Sequence, residues 1–484
     1  MDINKLFEDI KVSEWVGDKN VNIASIAADS RKVQKDSLFV AVRGVNIDGH
    51  QFINQVIEAG ASVVVCEAVP DNRPSNVLFV VVENSAIALG QLASNWYGRP
   101  SENLKLVGIT GTNGKTTTVT LLHRMATQLG YKAGLLSTVR NIIGTQEVEA
   151  TQTTPDPLQM HRLIAEMVKI GCDYCFMEVS SHAAHQHRIA GLKFAGAIFS
   201  NLTQDHLDYH KTFADYRDAK KMFFDGLTAD AFALVNVDDK NGRVMLQNCA
   251  AHKYTYALQT MADFRCKVVE SSFEGMQLEI DGTDVWTRFV GNFNAYNLLA
   301  VYSASILLGF KKDEVLTVLS SLGAVDGRFQ CLRSKSGKTA IVDYAHTPDA
   351  IENVLKTIKN VIDNQHNIIT VTGAGGNRDK GKRPIMADIA TQLSNRVILT
   401  SDNPRNERPD DIIADMKAGV KPEFNNRVLC ITDRTEAIRT ACMLAQSGDV
   451  ILVAGKGHET YQEVNGVKHH FDDREVINKI FNEE

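Results

Sequence analysis

A lysine followed by three threonines, set behind two glycines in "GITGTNGKTTT" (residues 108–118), is an arrangement that can hold phosphate. The backbone N–H groups of a tight glycine turn, and of a helix that starts after it, point at phosphate oxygens. Lys115 would add a cation for the β and γ phosphates, and the Thr116 hydroxyl can ligate Mg²⁺. Gly111, Thr112, Asn113, Gly114 and Thr117 complete the turn. The spacing departs from the common pattern G-x-x-x-x-G-K-[ST], because Ile109 stands where the first glycine belongs. The flanks decide between a chance cluster and a site. "LKLVGIT" before the loop is a short apolar run of strand type, and Val119, Leu122, Met125 and Leu129 after it recur at helical spacing until Gly130. Strand, glycine loop and helix is the context of a phosphate cradle. The loop alone implies ATP or GTP and names no reaction.

Other residue types suggest chemistry beside it. Glu178 ends the apolar run "YCFMEVS", where a carboxylate could hold Mg²⁺ near phosphates or simply face solvent. Asn294 and Asn297 in "GNFNAYN" carry amides that donate and accept, as an adenine edge requires. "CDYCFMEVSSHAAHQHR" invites a zinc reading through Cys172, Cys175, His182, His185 and His187. Strand alternation would place the two cysteines on opposite faces, and the Cys-to-His spacing is short for a finger-like site, so zinc is set aside.

The elements that must position these residues are those of an α/β protein. The chain has 484 residues, which suggests about three domains. A net charge of −6 gives no basic balance for nucleic acid or an anionic membrane. No apolar run approaches the roughly 20 residues needed to cross a bilayer, and the N-terminus lacks a signal-peptide layout. Eight scattered cysteines read as reduced, buried thiols, and a cytoplasmic location is expected. Residues 1–98 mix strands such as "SVVVCE" and "VLFVVVE" with helical stretches, and "RPSEN" is a plausible linker. Residues 99–333 alternate strands and helices as in a largely parallel sheet. In residues 334–484, "NIITVTGAGG", "RVILTSDNP" and "DVILVAGKG" are three strands ending in Gly- or Asp-bearing loops, where ligands of open α/β sheets bind.

"TGTNGKTTT", "TTPD", "MEVSSHAAHQHR", "NLTQDHLDYH", "YRDAKKMFF", "GNFNAYN", "VDYAHTPDA" and "SDNPRNE" occur in this order. Together they closely resemble the Mur ligases, ATP-dependent amide ligases of peptidoglycan precursor synthesis. In that family the loop is T-G-T-x-G-K-[ST], so the missing glycine at 109 is a family feature. The resemblance covers nearly the whole chain. It implies an N-terminal uridine-nucleotide module, a central mononucleotide-binding parallel sheet and a C-terminal Rossmann-like α/β domain. It is nearest to members that add meso-diaminopimelate to UDP-N-acetylmuramoyl-L-alanyl-D-glutamate, with ATP and Mg²⁺ and as a monomer.

The same resemblance implies roles for particular residues. His206 would ligate a second Mg²⁺, although on chemistry alone a histidine is a poor ligand for that ion. Lys220 would be carbamylated by CO₂ and share in metal binding; read blandly, it is one of two lysines on a solvated helix face. Ser180, Gln186 and Arg188 would contact the muramoyl substrate, as would Thr153 and Thr154, which could instead cap the helix that follows. Ser30, Val45, Asn46 and Ile47 would meet the uridine nucleotide, or form a generic exposed turn. Arg328 and Asp343 would contact phosphate and ribose.

The most discriminating stretch is "SDNPRNE". In diaminopimelate-adding members the Arg of D-N-P-R meets the amino acid's distal carboxylate, and lysine-adding relatives lack it. Here Asp402, Asn403, Pro404 and Arg405 are all present, with Arg378, Gly455 and Glu459 as the remaining amino-acid contacts. Without that context Arg405 could equally form a loop salt bridge. The competing readings are a lysine-adding ligase, a folate polyglutamate synthase, a nucleotide-hydrolysing switch and a UDP-sugar-binding module.

Overall fold

The computed structural model describes residues 2–483 except 45, 46, 72, 151, 204 and 206. Three sheets follow one another along the chain. The first orders its five strands as Val12–Val16, Leu78–Val82, Ala61–Cys66, Ser37–Val40 and Ser25–Ala27, the first pair antiparallel and the rest parallel. "ASVVVC" and "LFVVV" are almost wholly buried, as unbroken β-branched runs in parallel strands should be. Helix Ser85–Trp96 closes this layer, its N-terminus capped by the Asn84 side chain accepting from Ile87 N at 3.0 Å.

The second sheet has eleven strands, seven of them parallel around Lys105–Thr110. That strand lies between Gly196–Phe199 and Tyr174–Glu178, so three strand ends open together beside the glycine loop. Helix Lys115–Gln128 buries Val119, Leu121, Leu122 and Met125 against the sheet. Helix Asn292–Leu307 packs beside it and is apolar nearly all round, as an interior helix must be. Both sheet edges are antiparallel, which the expectation of a largely parallel sheet did not include. One edge turns at Asp281-Gly282, with φ of 46° and 77°, a hairpin signature that stood in the sequence.

The third sheet pairs Gln330–Arg333 antiparallel with Thr339–Asp343. Val450–Ala454, Ile368–Thr372, Arg396–Leu399 and Val428–Cys430 then follow in parallel. Helix Pro348–Val361 covers one face through Ile351, Val354, Leu355 and Ile358. A separate two-stranded hairpin, Tyr461–Val464 with Val467–His470, turns at Asn465-Gly466. Among the described residues no helix is long and apolar enough to cross a membrane. Cys172 precedes the strand Tyr174–Glu178 and packs in the same cluster as Cys175, which corrects the expectation of opposite faces.

The first layer meets the second backbone to backbone: a Cβ added at Gly90 would lie 2.4 Å from the Ala190 carbonyl oxygen. Gly90→Leu should therefore loosen this junction by about 1–3 kcal/mol, the usual cost of overpacking. An earlier thermal transition and faster proteolysis near residues 97–104 would show it; unchanged stability would mean the two layers part without cost.

Candidate active site

The strand ends of the second sheet and the loops of the third enclose one cavity of about 620 Å³. At its floor the glycine loop is tightly moulded. A Cβ at Gly111 would lie 2.0 Å from Ser200 Oγ, and one at Gly114, whose φ is +87°, would lie 2.4 Å from Asn297 Oδ1. Thr112 N donates to Asn201 O at 2.8 Å, and Asn113 N donates to Asn201 Oδ1 at 2.9 Å. Asn113 O accepts from Ser200 Oγ at 2.6 Å, so neither backbone group of Asn113 is turned to a ligand. Lys115 is the first residue of its helix, and its Nζ donates to Gly111 O at 2.9 Å and Thr112 O at 2.7 Å. Burial lowers its pKa, and the Glu178 charge nearby opposes that shift.

Glu178 does not face solvent: it is 1% exposed and lines the cavity. Its carboxylate accepts from Thr138 N at 2.9 Å and from Thr138 Oγ1 at 3.2 Å. Lys220 is likewise 1% exposed rather than on a solvated face, and its Nζ donates to Gly111 O at 2.8 Å. Burial, with Lys115 beside it, drives the Lys220 pKa well below the ordinary lysine value. The Glu178 carboxylate and the Thr116 hydroxyl are hard oxygen donors on one cavity, the chemistry Mg²⁺ takes. Among the described residues no three His, Cys, Asp or Glu side chains gather into a metal site, so such an ion would need nucleotide oxygens and water as well. His206 lies outside the described residues.

Thr153 and Ser180 line the cavity, while Thr154 lies buried behind them. The helix cap that Thr153 or Thr154 could have provided is Asp156, which accepts from Gln159 N at 3.0 Å. Thr154 Oγ1 instead donates to Glu178 O at 2.9 Å, joining the two motifs. Arg188 donates to Gln186 Oε1 at 2.9 and 2.6 Å and to Gln152 Oε1 at 2.7 Å, beside the cavity but not on its wall. Ser30 starts a 3-10 turn in the first layer, and Ile47 is exposed; neither lines the cavity. Val45 and Asn46 lie outside the described residues.

Asn297 lines the floor beside Gly114, and from the other side come Arg328, Asp343, Arg378, Asp402, Asn403, Arg405, Gly455 and Glu459. Asn294 and Pro404 do not reach the wall. Asn294 Nδ2 donates to Val290 O at 2.9 Å and its Oδ1 accepts from Asn297, so it braces its neighbour. Arg328 Nη2 donates to Thr116 Oγ1 at 3.1 Å, yet among the described residues its buried Nε has no partner, leaving capacity for an anion. Asp343 accepts from Phe329 N at 2.7 Å, and burial raises its pKa. Glu459 accepts from Asn403 Nδ2 at 2.7 Å and Lys456 Nζ at 3.1 Å. Burial raises its pKa too, and its carboxylate is already paired with Lys456. Arg405 is not alone either: its Nε lies 3.5 Å from Glu463 and its Nη1 donates to Gly376 O at 2.8 Å.

Three Mur ligase family descriptions match in order: the family's catalytic domain over residues 22–97, its middle domain over 109–305 and its glutamate ligase domain over 327–457. A protein of Parabacteroides distasonis named UDP-N-acetylmuramoyl-L-alanyl-D-glutamate–2,6-diaminopimelate ligase is 59% identical over 99% of both chains. The protein of the same name from Cytophaga hutchinsonii is 56% identical over 99% of both. The chain belongs to the Mur ligase family. A solved structure carrying that same enzyme name is 31% identical, with a TM-score of 0.71 over 100% of this chain and 99% of the other. The MurF ligase of Thermotoga maritima, solved with ADP, shares the fold at a TM-score of 0.62 and 18% identity, covering 95% and 97%.

Within this Mur ligase, side chains that sequence reading passed over also face the cavity: Asp205, His346, Asp349 and Lys382. Lys382 lies four residues after Arg378, in "GGNRDKGKR", with nothing to separate it from its neighbours; burial, which lowers its pKa, marks it out. Asp349 lay in "HTPDA", where an acidic first-turn residue reads as ordinary helix stabilisation.

Lys115→Ala should cost on the order of 10²-fold or more in turnover, the loss expected when a phosphate-directed cation leaves such a site. Phosphate release with an unchanged circular dichroism spectrum checks this, and near-normal turnover would take Lys115 out of the chemistry. Lys220→Ala should be nearly inactive, with short carboxylic acids restoring part of the activity by supplying an anion. Lys221, whose Nζ donates to Gln247 O at 2.7 Å on the outside, is the mild control. Full activity of Lys220→Ala would sink the carbamate reading.

Proposed function

We propose that this chain uses ATP to join meso-diaminopimelate to the D-glutamyl carboxylate of UDP-N-acetylmuramoyl-L-alanyl-D-glutamate, in the cytoplasmic synthesis of peptidoglycan precursors. The observation that carries the reading is one cavity holding both halves of such a reaction. The phosphate loop with Lys115 lies on one side, and the D-N-P-R loop with Arg405 on the other. The relatives bearing that enzyme's name match over their whole length, which supports the same substrates here.

The γ-phosphoryl group of ATP passes to the glutamyl carboxylate, giving an acyl phosphate and ADP. The free amine of diaminopimelate attacks the acyl carbon, and the tetrahedral intermediate expels phosphate. Catalysis of the first step is mostly positioning and charge stabilisation. Lys115 is placed for the transferring phosphates, and Arg328 adds a second cation beside Thr116. Magnesium bound with the nucleotide would neutralise phosphate charge; Thr116, Glu178, His206 and carbamylated Lys220 are the residues assigned to hold it. A neutral amine is what CO₂ requires for carbamate formation, and the lowered Lys220 pKa supports that state. Thr153, Thr154, Ser180, Gln186 and Arg188 are assigned to the muramoyl dipeptide, and Ser30 with the loop 45–47 to the uridine end. Asn297 and Asp343 are assigned to the nucleoside, with Asn294 as the brace of Asn297.

Arg405 reads the distal carboxylate that diaminopimelate has and lysine lacks. Glu463 changes the expected size of that preference. With lysine bound, the guanidinium keeps a carboxylate 3.5 Å away and is not stranded. Discrimination therefore belongs at the lower end for a broken charge pair, about 2 kcal/mol or roughly 30-fold. Arg405→Ala should lose most diaminopimelate activity, chiefly through amino-acid KM, without becoming a good lysine ligase. Phosphate release with the UDP-dipeptide and each amino acid in turn decides it; equal efficiency on both would overturn the substrate assignment.

A further inference from the structure

The phosphate loop is fastened to the amino-acid side of the cavity by a contact that the ligase chemistry leaves unexplained. Asp349, in the first turn of helix Pro348–Val361, accepts from Asn113 Nδ2 at 2.8 Å through its Oδ2. The same oxygen accepts from Thr203 Oγ1 at 3.3 Å and from Asn353 Nδ2 at 3.1 Å. A carboxylate beside a phosphate loop repels phosphate unless donors surround it, and here three do. Because both backbone groups of Asn113 are committed to Asn201 and Ser200, its side-chain amide is the group left to act, and it reaches across to Asp349 rather than into the loop.

The helix carrying Asp349 is packed into the third sheet. Ile351, Leu355 and Ile358 share one core cluster with Met386, Leu399 and Leu452, on the elements that lead into or out of the Arg378, D-N-P-R and Gly455 loops. Close-packed cores transmit displacement instead of absorbing it. Whatever holds Asp349 therefore holds those three loops at a fixed distance from the loop that carries the γ-phosphate.

We infer that Asp349 is a positioning residue through which a nucleotide ordering the Asn113 loop tightens binding of the amino acid. Ordering the loop fixes the Asn113 amide, the amide fixes Asp349, and the amino-acid loops are then presented without the cost of ordering them separately. Coupling of this kind is reciprocal, so the amino acid tightens the nucleotide equally. This inference rests on the ligase reading above.

The test titrates meso-diaminopimelate into the full-length protein with and without a non-hydrolysable ATP analogue, and measures KM for both substrates by phosphate release. In the unmodified protein the analogue should tighten amino-acid binding by about fivefold or more, within the usual range of coupling. In Asp349→Ala that tightening should vanish, the amino-acid KM should rise by about tenfold, as expected for a lost charge-assisted hydrogen bond, and the ATP KM at saturating amino acid should rise with it, while the affinity for the ATP analogue without amino acid stays within about twofold. Asp349→Asn keeps an oxygen acceptor for Asn113 and should stay within about threefold of the parent on the same scale. Three results would each overturn the inference: undiminished coupling in Asp349→Ala, a matching loss of analogue affinity in Asp349→Ala without amino acid, or Asp349→Asn as impaired as the alanine variant. Failure of the unmodified protein to release phosphate with diaminopimelate would instead overturn the ligase reading.

Discussion

The Nζ atoms of Lys115 and Lys220 lie 2.9 and 2.8 Å from the same oxygen, the carbonyl of Gly111, with Lys220 buried and Lys115 half-buried on the cavity wall. Two ammonium groups cannot share one acceptor in a low-dielectric pocket without a large penalty. The conflict is relieved if one amine gives up its proton, and Lys220 is the one pushed further down, by burial and then by the charge of Lys115. A carbamate at Lys220, as proposed above, would replace one of the two positive charges with a negative one. Gly111 can occupy this junction only as glycine, because any side chain would run into Ser200.

The rest of the second sheet serves that junction. Lys105–Thr110 sits between two parallel strands, and all three end at the same level. The strand on one side delivers Glu178, and the loop after the other delivers Ser200 and Asn201, which lock the backbone of residues 112 and 113. Lys220 arrives on a helix whose Tyr216 hydroxyl lies 3.1 Å from Thr112 Oγ1. Each contact ties a different element to the four residues between Thr110 and Lys115 and so helps to fix the loop's shape. That is the condition for electrostatic preorganisation, in which the donors need not move when charge develops.

Much of this was legible in the sequence, for local physical reasons. The runs "LKLVGIT", "YCFMEVS", "FALVNV", "NIITVTG" and "DVILVAG" are strands because β-branched and apolar residues continue without polar alternation. The phosphate loop and the D-N-P-R loop each place their chemistry within a few consecutive residues. What could not be read was anything set by contacts between distant segments. Glu178 and Lys220 each allowed a solvent-exposed reading that only burial removed. Asn294 and Asn297 differ in nothing but position, yet one lines the cavity and the other braces it. Asp349 meets Asn113 across more than two hundred residues of chain, and no local spacing announces that.

The D-N-P-R loop carries this lesson furthest, because its shape is imposed almost entirely from outside. Arg405 has a left-handed backbone, φ +52°, which a long side chain adopts only under constraint. The constraint is the hairpin 461–470. Arg405 N donates to Glu463 O at 3.0 Å, and Asn465 N donates to Arg405 O at 2.8 Å, so the hairpin edge runs a short ladder along the loop. Glu463 N donates to Asn403 Oδ1 at 2.9 Å, and Gln462 Nε2 donates to Asp402 O at 2.7 Å. Below, the buried Arg434 pairs with Asp473 at 2.7 and 2.8 Å and donates to Ala454 O at 3.0 Å, bracing the strand end that leads to Gly455. If Arg405 reads a carboxylate, as proposed above, it must present its fork at one angle, since a bidentate pair tolerates little rotation. The four residues of the motif supply the fork, but the Asn465-Gly466 turn and its strands supply the angle. A ligase of this family with the same four residues and a different hairpin would therefore carry the right arginine in the wrong place.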